Sequence, residues 1–251
     1  SAQADGYIHG SSVSLTANDT TSTKALNVAA AVGGGAAGIA VAHIDRTGTT
    51  QAFFNQGGAA SGQRIEAGSL SITATTDEGN EVKSVAAAGG LAVAANGAAG
   101  SLVDSTHVRA GIGSNSRIAV GGDELDAGQT VNVSATRGSL VDASADGVGV
   151  SGGLQIGASI SVAKMQGSTS ATVGQGVVFD AGSSLTVSAS ELAANTVKTK
   201  STASGGGALA GVNAGLSWSQ NDATVNASIG DDTLLPDGGV ALHATHRGTQ
   251  S

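Results

Sequence analysis

Hydrophobic and polar positions alternate with a period of two along most of this chain. The clearest run places Val148, Val150, Gly152, Leu154, Ile156, Ala158, Ile160 and Val162 on one face, with Gly149, Ser151, Gly153, Gln155, Gly157, Ser159, Ser161 and Ala163 between them. A second run sets Val212, Ala214, Leu216 and Trp218 against Asn213, Gly215, Ser217 and Ser219. This period belongs to strands, whose successive side chains point to opposite faces. The Ala-rich runs could pass as helix on propensity, but each Gly costs roughly 1 kcal/mol in a helix interior and several occur per run. Strands are therefore expected throughout, and Trp218, in phase with Leu216 and Val212, is expected to be buried.

One strand signature recurs. Val13-Ser14-Leu15-Thr16-Ala17 returns as Leu70-Ser71-Ile72-Thr73-Ala74, Val131-Asn132-Val133-Ser134-Ala135, Leu185-Thr186-Val187-Ser188-Ala189 and Val240-Ala241-Leu242-His243-Ala244. The spacings are 57, 61, 54 and 55 residues, and the turns Ala67-Gly68, Ala127-Gly128, Ala181-Gly182 and Asp237-Gly238-Gly239 announce the later copies. Each copy leads into a long small-residue run, and each unit closes on an apolar step: Ile65, Ile118 or Val120, Val177 or Phe179, Leu234 or Leu235. The chain reads as a single repetitive fragment over 1–251, with repeats at 10–67, 68–127, 128–181 and 182–238 and the start of a fifth at 239–251.

Units like these cannot each bury a core alone and must stack. The predicted fold is all-β: a parallel β-helix (β-solenoid) of about four repeats, with corners at Gly33-Gly34-Gly35 and Gly152-Gly153. Division of each unit into three coils of about 19 residues would give a rod of roughly 13 coils, about 60 Å long at strand spacing. A β-sandwich array is the alternative, but sandwich cores carry more bulk.

Composition narrows the class. Of 251 residues 45 are Ala and 40 are Gly, and only 2% are aromatic, which leaves little bulk for a compact three-layer enzyme. A net charge of -8 with Pro236 as the single proline suits neither disorder nor collagen, and no basic patch fits nucleic acid. Zero Cys excludes disulfides and thiolate metal sites. The uncharged stretch 84–103 is mostly Ala and Gly, gains little from lipid, and is read as strand, with no membrane insertion. Beginning at Ser1-Ala2-Gln3, the chain is read as a piece of something longer.

The repeat form Gly-x-[Val/Leu]-x-[Leu/Ile/Val]-x-Ala, followed by runs such as Ala29-Ala30-Ala31-Val32-Gly33-Gly34-Gly35-Ala36-Ala37-Gly38, resembles the stalk of filamentous-haemagglutinin-like large exoproteins, the adhesins of two-partner secretion. The resemblance covers nearly the whole chain, and its motif is compositional. It implies a right-handed parallel β-helix, export through an outer-membrane transporter, a secreted or bacterial cell-surface location, and roles in adhesion and biofilm matrix. The chain has no Asn-Pro secretion motif and no Arg-Gly-Asp tripeptide, so no binding residue of the family carries over.

Motifs that could carry chemistry are weak here. Gly147-Val148-Gly149-Val150-Ser151-Gly152 fits the dinucleotide fingerprint, but a strand-like alternation follows where that motif needs a helix. Ser161-Val162-Ala163-Lys164 fits an acylation motif that lacks its partners, and strand residues three apart face opposite ways. His9, His43, His107, His243 and His246 do not assemble the convergent ligands of a zinc site. Asp77-Glu78, Asp123-Glu124-Asp126, Asp142 with Asp146, and Asp231-Asp232 read as turn carboxylates, the place where calcium could bind weakly; no other cofactor is expected. The acids do not recur at one position of successive units, which argues against a polysaccharide-active β-helix enzyme.

The leading expectation is thus a non-enzymatic stalk segment, with no catalytic residue and no metal site. The alternative is a module that binds exopolysaccharide or cell-surface glycan on the rod surface, with Trp218 as its candidate residue. A polysaccharide-active enzyme ranks third.

Overall fold

The computed structural model describes residues 1–57, 63–120, 129–179, 183–192, 195–234 and 238–250. The turns at Ala127-Gly128 and Ala181-Gly182, the acidic cluster Asp123-Glu124-Asp126, and Leu235, Pro236 and Asp237 lie outside the described residues. The described residues are all-β, with long parallel strands and no helix.

The recurring strand signatures lie side by side. Val13 pairs with Leu70, Leu70 with Val131, Val131 with Leu185, and Leu185 with Val240, all parallel. The register then continues far beyond the signature. Val13–Phe54 runs beside Leu70–Ile112 along its whole length, with one irregularity between Gly33 and Gly35. Leu70–Ile112 in turn pairs with Gln129–Ser151 and then with Leu154–Val173. Thr196–Gly207 and Ala210–Asn221 lie on the far side of those two. One whole repeat therefore forms one layer. The expected division into three short coils is not present, because each residue pairs with the residue one full repeat away. At about 4.8 Å per layer, four layers and the start of a fifth span only about 20 Å along the stack, not 60 Å.

Each layer goes out and comes back. An outgoing arm leaves the signature, bends at glycines (Gly33-Gly34-Gly35 in the first layer, Gly152-Gly153 in the third), and a return arm runs back across from it. Side chains tie the two arms: Ser84 Oγ donates to the Ala99 carbonyl at 2.6 Å, Asn27 Nδ2 to that of Val41 at 2.5 Å, and Ser201 Oγ to that of Ser159 at 2.6 Å. Glycine lets the arms approach this closely. A Cβ on Gly38 would stand 2.3 Å from the Ala87 carbonyl oxygen, and one on Gly100 would stand 2.6 Å from that of Ser144.

At the base a second, smaller sheet packs against the arms. Tyr7–Gly10, Arg64–Ala67, Arg117–Val120 and Val178–Phe179 form a separate parallel sheet. Its Ile65, Ile118 and Phe179 meet Leu70, Ile72, Val131, Val133, Leu185 and Val187 from the outgoing arms and Phe54, Val108 and Ile112 from the return arms. This is the main apolar core: the first four signatures lie in it or pack on it, as do the closing steps Ile65, Ile118, Val177 and Phe179, while Leu234, and Val240 and Leu242 of the fifth signature, are exposed. The chain leaves it through a repeated corner at which Asn115, Gly176 and Asp232 adopt a left-handed backbone, a conformation that suits Asn, Gly and Asp. The Asn115 amide donates to the Gln175 carbonyl and the Gly176 amide to that of Asp231, so the corners stack.

Candidate functional site

Above the base core the interior becomes ionic. Glu78 on the outgoing arm of the second layer accepts a hydrogen bond from Arg46 Nη2, on the return arm of the first, at 2.8 Å. Asp104, on the return arm of the second layer, accepts one from Arg137 Nη2, on the outgoing arm of the third, at 3.1 Å. The Thr106 hydroxyl lies within reach of both carboxylates, 2.8 Å from Asp104 Oδ1 and 3.1 Å from Glu78 Oε2. Ser139 Oγ donates to Asp104 at 2.6 Å, and Arg137 Nη1 donates to the Gln166 carbonyl at 2.9 Å. Burial pushes the Glu78 carboxyl up to about 7, with the Asp104 charge adding to the effect and Arg46 opposing it. The side chains of Glu78, Asp104 and Arg137 are closed to solvent, and the cluster joins arms and layers.

Two of the carboxylate pairs expected at turns sit inside strands. Asp77 and Glu78 are adjacent on one strand; Asp77 faces out and Glu78 faces in, so they cannot share an ion. Asp142 and Asp146 share the outer face of Gln129–Ser151, but four strand residues separate them by about 13 Å. Among the described carboxylate pairs only Asp231-Asp232 lies at a turn, where Asp232 takes the left-handed corner. Among the described residues no three His, Asp or Glu side chains converge as metal ligands. Two of the histidines have separate partners: His107 Nδ1 lies 2.9 Å from Ser168 Oγ, and His246 Nδ1 lies 2.6 Å from buried Glu191.

Trp218 is not buried. It is 52% exposed on the outer face of the return arm, beside Val162 of the preceding layer. Its expected phase partners face out with it: Val212, Leu216, Ile156, Ile160, Val148 and Val150 are all exposed. The interior opposite them holds Ala86, Ala98, Ala145, Asn96, Gln155 and Ser159. The cause is legible in the strand Gln129–Ser151. Val131, Val133 and Val141 occupy odd positions and point inward, whereas Val148 and Val150 occupy even positions of the same unbroken strand. The apolar phase flips without a bulge, so the tip half of each layer carries its bulky residues outside. A shallow apolar groove of about 200 Å³ crosses this face, floored by Gly97 and Ala158 and walled by Ile39, Val41 and Ile160.

Comparison of the chain with models of known families, with curated proteins and with solved structures finds no match in any of the three.

Proposed function

We propose that this chain is a non-enzymatic stalk segment of a very large secreted bacterial adhesin of the filamentous-haemagglutinin-like, two-partner type, built as a parallel β-helix. The observation that carries the reading is the parallel, in-register stacking of whole repeats, from Val13 through Leu70, Val131 and Leu185 to Val240. A chain built this way lengthens by adding layers, each templated by the backbone of the one before. Small inward residues and the absence of Cys suit a chain that crosses an outer-membrane transporter unfolded and folds at the cell surface. On this reading the work of the segment is geometric: it carries other parts of the parent chain away from the cell and supports adhesion and biofilm matrix.

The second reading, a module for exopolysaccharide or cell-surface glycan, rests on one observation, the exposure of Trp218 beside Gln220 and Lys164. A panel of bacterial exopolysaccharides and host glycans separates the two. The stalk reading expects a β-type circular-dichroism spectrum and no saturable binding. Saturable binding to one class, weakened in Trp218→Ala, would replace it with the glycan reading, and a mainly helical spectrum would overturn both.

A further inference from the structure

The outer faces of the two arms differ. On the outgoing side charged and polar residues interrupt the apolar ones: Asp146 lies in one column with Val28, Val85 and Thr202. On the return side residues 35–44, 93–103, 154–163 and 210–221 contain no Asp, Glu, Lys or Arg. Their outward positions form five columns that run across four layers, and only His43 and Ser101 are polar there. The next column, toward the base, is the polar edge, with Asp45, Lys164 and Gln220.

Two neighbouring columns of the return face have complementary relief. One is Ile39, Gly97, Ala158 and Ala214, and its Gly97 and Ala158 floor the apolar groove. The other is Val41, Ala99, Ile160 and Leu216, whose exposed Ile160 and Leu216 stand beside the small residues as a ridge. The columns repeat at about 4.8 Å per layer, so a surface with the same repeat matches them along the whole stack. A second copy of the chain has that repeat. A two-fold axis along the stack, placed between the two columns, sets Ile160 over Ala158 of the second copy and Leu216 over its Ala214, and gives the same contacts in return. It also sets Trp218 over Val212 of the second copy, which makes an aromatic anchor on each side.

We propose that the chain pairs with a second copy of itself through the outer faces of the return arms, ridge into groove, as an isologous dimer. Five columns over four layers measure about 27 Å by 19 Å, roughly 500 Å² per copy. Two copies bury about 1,000 Å², the size at which specific interfaces begin. An apolar centre bordered by Asp45, Lys164 and Gln220 has the makeup of such an interface. Pairing takes the apolar columns out of water and leaves the mixed outgoing faces, with Lys83 and Asp146, in it. A glycan would find only the side chains of His43 and Ser101 to hydrogen-bond within those columns.

Sedimentation equilibrium of the 251-residue chain provides the test, with the sole tryptophan, Trp218, as a second reporter. A reversible dimer is expected to form between about 1 and 300 µM, as suits an interface at the small end of the range. Trp218 emission is to shift to the blue as the dimer fills. Ile160→Arg and Leu216→Arg, in register on the return face, are each to weaken the dimer about tenfold or more. Val148→Arg, at an equally outward position of an outgoing arm, is to leave it unchanged. If an arginine variant fails to fold, the concentration dependence of Trp218 emission in the unchanged protein decides. A folded chain that stays monomeric across this range overturns the proposal. So does a dimer that dissociates in Val148→Arg and persists in Leu216→Arg, and so does a monomer whose Trp218 emission shifts only when a glycan is added.

Discussion

Asp104 and Arg137 meet at 3.1 Å with neither side chain exposed, and they join the return arm of one layer to the outgoing arm of the next. Arg46 and Glu78 make the same diagonal one layer earlier with the acid and the base exchanged. These two buried contacts, Asp104–Arg137 as an ion pair and Arg46–Glu78 as a hydrogen bond, join three successive layers at the height where the base core gives way to the thin interior of the arms.

Breaking one of these pairs leaves an uncompensated buried charge. Asp104→Asn is expected to destabilise the fold by about 3–5 kcal/mol, while Asp104→Leu combined with Arg137→Met restores most of the loss. Chemical denaturation of the two variants checks this, and equal stabilities would contradict it.

Stability is expected to fall as pH rises from about 4.5 to about 7. Glu78 holds its proton to about 7 in the folded state, against an ordinary value of 4.5, so the unfolded chain ionises first. The contribution is fully present below 4.5 and lost once Glu78 ionises in the fold. Asp142, raised by burial and by the Glu81 charge, adds a slope of the same sign. Thermal melts across that range are to show the decline, and Glu78→Gln is to flatten most of it.

Two glycines of the second layer should respond oppositely to the same change. A methyl on Gly100 would press on the Ser144 carbonyl at 2.6 Å and push the arms apart, at about 1–3 kcal/mol. A methyl on Gly89 would meet only the Val32 side chain, at 3.8 Å or more, and Gly89→Ala is expected to be neutral or to stabilise by up to about 1 kcal/mol. Melting temperatures of the two alanine variants measure the contrast.

The base core, not the apolar tip, holds the fold in water. Ile72 is fully buried in a column with Leu15, Val133 and Val187, so Ile72→Ala is expected to cost about 2–5 kcal/mol. Trp218→Ala, at an exposed position, is expected to cost under about 1 kcal/mol. Urea titrations of both variants compare them directly.

The strand period and the glycine corners could be read from residues such as Leu70-Ser71-Ile72-Thr73-Ala74 and Gly152-Gly153, because strand alternation and glycine corners are local properties. Phe53 and Phe54 are adjacent on one strand and so face opposite ways, and Phe54 is the one in the core. The inner face of the tip was not legible from alternation alone. Val148 and Ile160 define a face without saying which way it points, and the answer depends on how closely two arms approach across glycines such as Gly38 and Gly100. One signal was present: Val141 and Val148 are seven apart, an odd number, so one continuous strand cannot bury both on the same side. Following the inward phase from Val108 back through Thr106 to Asp104 would likewise have located the ionic layer, which depends on pairing across arms and layers.

The central claim is that one repeat makes one layer, and a pair of cysteines tests it most directly because the chain has none of its own. Thr73 and Ser134 are register partners on the outer face, about 4.8 Å apart as neighbouring strands are, within the range a disulfide spans. Thr73→Cys with Ser134→Cys is predicted to cross-link within the monomer under mild oxidation, while Thr73→Cys with Ala92→Cys stays reduced. Rapid cross-linking of the second pair, which a coil of about 19 residues would place side by side, together with none in the first, would contradict the account.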